Sequence, residues 1–153
     1  MIITVVGLGV VGGSFVKALK GQGHEVYGID VDEETLARAK ADGCIKEGFV
    51  DGREIIKQSD MTIICLYPSL VLDYIKEHEF KKGSIITDAV GVKTHFLNAA
   101  MNLLKDKDVE FVSGHPMAGR ENKGYLYASK EVFQGANYIL IQHEQNSKSA
   151  IAM

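Results

Sequence analysis

The sequence predicts an α/β fold with a doubly wound, mainly parallel sheet, and three observations predict it. Short apolar runs of four to seven residues alternate with amphipathic stretches of about ten. The runs are rich in Val and Ile and show little polar alternation, as strands buried on both faces do. The first run empties into glycines, the turn expected between a strand and a crossover helix.

Each element follows in order. "IITVVG" (2–7) is a β-branched strand, followed by a helix from about Val11 to Gly21. "EVYGID" (25–30) is a second strand. "DEETLARAKADG" (32–43) is a helix that opens on acids and closes on glycine, as dipole and C-cap preferences require. A weak helix or turn at "GREIIKQS" precedes the strand "MTIICLY" (61–67). The amphipathic stretch "SLVLDYIKEH" (69–78), the strand "GSIITDA" (83–89) and the helix "VKTHFLNAAMNLL" (92–104) come next. "VEFVSG" (109–114) is a strand, and a short helical stretch leads to a last strand, "ANYILIQ" (136–142). The pattern is lost in "HEQNSKSAIAM", so residues 1–142 are expected to form one domain and 143–153 a frayed tail.

Composition narrows the function classes. The chain has 153 residues, 46% apolar and 24% charged, which suits one globular domain with a sizeable core. A net charge of −3 and the lack of a basic patch argue against nucleic acid and anionic membrane as partners. The apolar opening lacks a basic n-region, and no run approaches the roughly 18 residues of a membrane span. Cys44 and Cys65 read as reduced thiols in a cytoplasmic protein. The histidines have no ligand-like spacing, so no metal site is expected. His24, His78, His95 and His143 are placed on surfaces and given no role.

In such a fold, ligands bind beyond the carboxyl ends of the strands. After the first strand, Gly7, Gly9 and Gly12 stand in G-x-G-x-x-G spacing, with Leu8, Val10 and Val11 in the same turn. Backbone there can cradle a pyrophosphate at the start of a helix, although the same spacing also serves purely structural turns. Asp30 ends the second strand 18 residues after Gly12, where a carboxylate would hold a ribose hydroxyl. Asp32 is the better N-cap for the next helix, which frees Asp30 for that task. Asp30 would also repel a 2′-phosphate, so NAD is expected rather than NADP; Arg38 reads as a solvated helix residue. Tyr67 and Pro68 follow the third strand and either border the nicotinamide half or form an ordinary turn. Asp88 and the small residues after it leave room for cofactor on the same rim.

"GHPMAGRE" (114–121) sets His115 just past a parallel strand, on the rim that carries the glycines. A lone histidine is often structural, but Pro116, Gly119, Arg120 and Glu121 crowd an unusual set of constraints beside this one. "GHPMAGRENKGYLYAS", with "GLGVVGGS", "YGID" and "TDAVGVK", resembles the prephenate dehydrogenases and their arogenate dehydrogenase relatives over about residues 1–142.

The resemblance implies a Rossmann NAD-binding domain and oxidative decarboxylation of prephenate to 4-hydroxyphenylpyruvate, with the C4 hydride passing to NAD. His115 would take the proton of the C4 hydroxyl, a task suited to an imidazole of ordinary pKa near 6.5 and worth roughly 10²–10⁴-fold. Glu121 would help gate or organise the substrate site, which Gly91 also borders; Arg120 and Glu121 by their own chemistry supply charge for an anionic or hydroxylated ligand. Gly91 stands where many family members carry a serine that contacts the histidine, so His115 is expected to lack a side-chain orienter. The family continues into a helical domain that dimerises and supplies an arginine for the substrate carboxylates. That domain is missing from this chain, so turnover is expected to need a homodimer or a separate helical domain. Arogenate as substrate, a related dehydrogenase, and an NAD-binding regulatory module without turnover are the other readings.

Overall fold

A computed structural model of the chain describes residues 1–91, 93–118, 122–143 and 146–152. Among the described residues, seven strands form one sheet: β1 (Ile2–Val6), β2 (Glu25–Ile29), β3 (Glu47–Phe49), β4 (Met61–Ile64), β5 (Ser84–Asp88), β6 (Val109–Pro116) and β7 (Tyr138–Ile141). Their spatial order is β3-β2-β1-β4-β5-β6-β7, parallel except for β7, which runs antiparallel to β6. The chain therefore reverses its winding between β1 and β4. Crevices that accept ligands open at such a switch point.

The strands end in line. Phe49, Ile29, Val6, Ile64, Asp88 and Ser113 are register partners across the sheet. Among the described residues, the expected binding residues 7–12, Asp30, Tyr67, Pro68, Gly91 and His115 follow this row within a few positions and Asp88 lies in it, which is why segments far apart in sequence share one rim.

Helices α1 (Val10–Leu19) and α2 (Glu33–Ala41) cover one face. The short α3 (Arg53–Ile56), α4 (Pro68–Glu77) and α5 (Thr94–Leu104) belong to the other. Side chains alternate along each strand. Val5 and Ile63 thus pack with Val16 and Leu36, while Val6, Ile64 and Ile86 pack with Val71, Ile75, Phe96 and Ala100. Each fully buried Ile or Val contributes roughly 1.5–3 kcal/mol of transfer free energy. Two 3₁₀ turns, Tyr125–Tyr127 and Lys130–Phe133, form the expected helical stretch and lie against α1.

Several expectations are corrected. β3 was not foreseen: three half-buried residues at a sheet edge carry no apolar period. β6 does not stop at Gly114 but continues through Pro116, because β7 pairs with its last four residues, Ser113 to Pro116. Residues 146–152 do not fray. The Ser147 N–H and hydroxyl donate to Glu110, Asn146 Nδ2 donates to Phe111 O, and Ala150, in the middle of α6 (Lys148–Ala152), is buried on Ile85 and Val112. His78 is not a surface residue: its buried ring stacks on Tyr74, centroids 3.9 Å apart. No helix among the described residues is long and apolar enough to cross a membrane.

Candidate functional site

The rim is built first by the glycine turn. Gly7 has φ +84°, a conformation that favours glycine, and its N–H donates to Ile29 O at 2.8 Å. A methyl on Gly12 would collide with the carbonyl oxygen of Gly7, so α1 can lie this close to β1 only with glycine there. Gly9 differs: a Cβ there would meet nothing within 4 Å. The space beside it is open.

Gly9 is also the N-cap of α1, with no side-chain cap and no acid in the first turn. Gly13 N–H closes back onto Gly9 O at 2.9 Å. Among the described residues, the N–H groups of Val10, Val11 and Gly12 are then the unpaired donors that every helix start leaves. With the positive end of the helix dipole, they make an anion cradle. Leu8, which the sequence places in the cofactor turn, serves the turn itself. Its side chain is core, and its N–H is taken by Asp30 Oδ2 at 2.7 Å.

Asp30 therefore has two roles. Its other oxygen accepts the N–H of Asp32 at 2.9 Å, and the half-buried carboxylate keeps lone pairs on the rim. Asp32 caps α2, accepting the Glu34 N–H at 3.0 Å, as the sequence suggested. Arg38 is held by Glu34 at 2.5 Å on the exposed face of α2. Past β4, Tyr67 is 68% exposed and Pro68 opens α4, where a missing N–H costs nothing.

Asp88 departs from its expected role. It is completely buried; Oδ1 accepts from the Ser113 hydroxyl at 2.6 Å, and Oδ2 from the Val90 N–H at 2.8 Å and Lys93 Nζ at 2.5 Å. A carboxylate so engaged braces the strand ends and is not offered to a cofactor. Lys93 also donates to Gly114 O at 2.7 Å. Burial pulls the Lys93 ammonium below the usual lysine range, opposed by its bond to Asp88.

His115 follows Gly114 directly. Its ring is half-buried, and Nδ1 is enclosed without a hydrogen-bond partner among the described residues. A Cβ on Gly91 would lie 3.2 Å from His115 Cε1 and 3.7 Å from each ring nitrogen. The fold thus brings Gly91 and His115 face to face across 24 residues of sequence. Arg120 and Glu121, with Gly119, lie outside the described residues.

Three residues were missed by sequence reasoning. Lys93 and Ser113 complete the Asp88 cluster; a lysine five residues after a strand-end aspartate was a readable signal. Tyr138 on β7 packs its phenol on Gly114, and burial raises that phenol to about 12. An antiparallel edge strand carried no hint of that contact. Cys65, beside Gly12, has its thiol pushed well up by burial, which leaves it inert as a nucleophile.

Comparison with known proteins agrees with this geometry. The family model described as "Prephenate dehydrogenase, nucleotide-binding domain" matches residues 15–153. The prephenate dehydrogenase of Lactococcus lactis subsp. cremoris is 30% identical over 97% of this chain and 43% of its own length. The crystal structure of Synechocystis arogenate dehydrogenase superimposes with a TM-score of 0.89 at 28% identity, over 99% of this chain and 54% of that one. Prephenate dehydrogenase from A. aeolicus, in complex with hydroxyphenyl propionate and NAD+, gives a TM-score of 0.88 at 26% identity, with coverage of 99% and 54%. The chain therefore spans about half the length of these relatives. With the sheet order, the glycine turn and the matched profile in agreement, the chain belongs to the prephenate dehydrogenase family, as its nucleotide-binding domain.

Proposed function

We propose that this chain is the NAD-binding half of a prephenate dehydrogenase, a cytoplasmic enzyme of tyrosine biosynthesis, and that it carries the proton acceptor of the reaction. The observation that carries the reading is His115 Nδ1, enclosed without a hydrogen-bond partner among the described residues, on the rim that also holds the open glycine turn. A relative of the same fold is known with both NAD+ and a hydroxyphenyl ligand.

The residues fit the cofactor. The open space at Gly9 and the free N–H groups of Val10, Val11 and Gly12 suit a pyrophosphate, and Asp30 suits an unsubstituted ribose. Asp30 would repel a 2′-phosphate, and Arg38 pairs with Glu34 on the exposed face of α2, which together favour NAD over NADP. Tyr67 and Pro68 border the rim beyond β4. When bound, NAD supplies the acceptor for the hydride that leaves C4 of prephenate.

His115 accepts the C4 hydroxyl proton as the carbonyl forms. The ring carboxylate then departs as carbon dioxide, leaving its bonding electrons to the ring, which becomes aromatic. The proton returns from His115 to the phenolate oxygen, so the imidazole ends neutral. Gly91 leaves space beside the histidine; Arg120 and Glu121 are proposed on the substrate side. The substrate carboxylates are proposed to be held by a helical domain such as the family carries, in the same protomer or a partner.

NADH formation from NAD and prephenate tests this, with the chain alone and with the helical half of a relative joined to it. His115→Asn should leave NAD affinity within a few-fold and lower turnover by about 10²-fold or more. Equal turnover in the variant would remove His115 from the chemistry.

A further inference from the structure

We propose that Lys93 is a positioning residue for His115, its one ammonium tying the loop that carries Gly91 to the ends of both strands beneath the histidine. The inference rests on His115 as proton acceptor and concerns what holds that ring where it is.

The imidazole has little of its own to hold it. Nδ1 has no partner among the described residues, and the neighbour across from it is a glycine, which offers no side-chain donor or acceptor. Its placement therefore comes from backbone on two sides: the Gly114–His115 peptide and the loop after β5. Lys93 Nζ bonds both. It donates to Gly114 O at 2.7 Å, the carbonyl of the planar unit leading into His115, and so restrains that unit as a whole. It also donates to Asp88 Oδ2 at 2.5 Å, at the root of the loop that presents Gly91.

The bond network is closed. Asp88 is completely buried, and the Lys93 side chain is 13% exposed. Ser113 donates to the second carboxylate oxygen from the strand that bears His115, and the Val90 N–H donates from the loop that bears Gly91. Removing the amine frees the Gly114 carbonyl and loosens both partners of the contact between Gly91 and His115. A surface lysine would have no such reach, and an ordinary buried ion pair would have no reason to include the carbonyl beside the histidine.

The variants that test this are Lys93→Met and the double variant Asp88→Asn with Lys93→Met. The second removes the buried charge that the first leaves unpaired, while the amine is still lost from Gly114 O. Each is examined in the NAD-bound protein by thermal unfolding, NAD titration and ring nitrogen NMR of His115, and by kcat and KM for prephenate where turnover is measurable. The expected result is a folded double variant that binds NAD within about 3-fold of the wild type. Its His115 ring nitrogens should show shifted, broadened signals, and kcat should fall roughly 10-fold or more with KM nearly unchanged.

A folded variant with wild-type His115 signals would overturn the proposal, leaving Lys93 as a fold-stabilising pair. Failure of both variants to fold would overturn it equally. The reading of His115 as acceptor fails separately, through an active His115→Asn, and the ring signals still report on Lys93 in that case.

Discussion

Gly9→Ala and Gly12→Ala, two substitutions three residues apart, should separate cofactor binding from folding. At Gly9 the backbone has φ −69° and ψ −154°, open to alanine, and the new methyl would meet nothing within 4 Å. Alanine caps a helix less well than glycine, but it also lowers unfolded-state entropy; the two effects are each up to about 1 kcal/mol and oppose one another. Stability should therefore stay within about 1 kcal/mol, a shift in Tm of no more than about 4 °C for a domain of this size. Ligand binding should respond quite differently. The methyl occupies the space through which a pyrophosphate reaches the N–H groups of α1, and losing one charge-assisted bond of about 1.5–3 kcal/mol weakens NADH binding roughly 10- to 150-fold.

Gly12→Ala reverses the pattern. Its methyl would overlap the Gly7 carbonyl oxygen, and backbone cannot rotate away as a side chain can. Overpacking against such a wall costs about 3 kcal/mol, lowering Tm by about 6–12 °C. Thermal unfolding by circular dichroism and NADH titration by fluorescence measure both quantities on the same samples. A Gly9→Ala variant that binds NADH within about 2-fold of wild type would refute the reasoning, and the turn would then serve the fold alone.

Other predictions rest on single contacts. Asp30→Ala should weaken NAD binding and relax discrimination against NADP, while the Leu8 N–H left without its acceptor costs about 1–3 kcal/mol; an unchanged cofactor preference in paired titrations would assign Asp30 to the turn only. Gly91→Ser puts a hydroxyl within reach of the His115 ring after a shift of a few tenths of an ångström. One new hydrogen bond of roughly 0.5–1.5 kcal/mol should raise kcat by roughly 2–10-fold, and an unchanged rate would mean that the ring needs no orienter. Asp60 accepts from Lys81 and from the Ile2 N–H, bonds that hold its carboxyl below the usual range. A depressed folded-state pKa contributes stability above the unfolded value near 4, and that contribution is lost as pH falls through the folded value. The Tm gap between wild type and Asp60→Asn should accordingly be largest near neutral pH and close in acid. A gap that widens in acid would contradict the sign.

The parallel architecture was legible because strands buried on both faces must be continuously apolar and crossover helices must be amphipathic. "IITVVG" and "MTIICLY" admit little else. The glycine turn was equally legible, since Gly7 and Gly12 answer to backbone geometry a few residues away. His115 and Gly91 could be singled out as residues, and their contact was anticipated only through resemblance to a family.

What the amino-acid order by itself determined is local: which segments are strands, where helices start and stop, and which turn is free enough to admit a phosphate. Those properties depend on interactions within a few residues, so they are written in periodicity and capping. Tertiary structure decided the rest. Only sheet register puts the end of β5 beside that of β6, turning Asp88 from a cofactor candidate into the acceptor of Ser113 and Lys93. Only docking on β6 orders residues 146–152, whose polar sequence has no apolar period of its own. A buried carboxylate and an exposed one look alike in sequence, because what separates them is the partners brought together from distant parts of the chain.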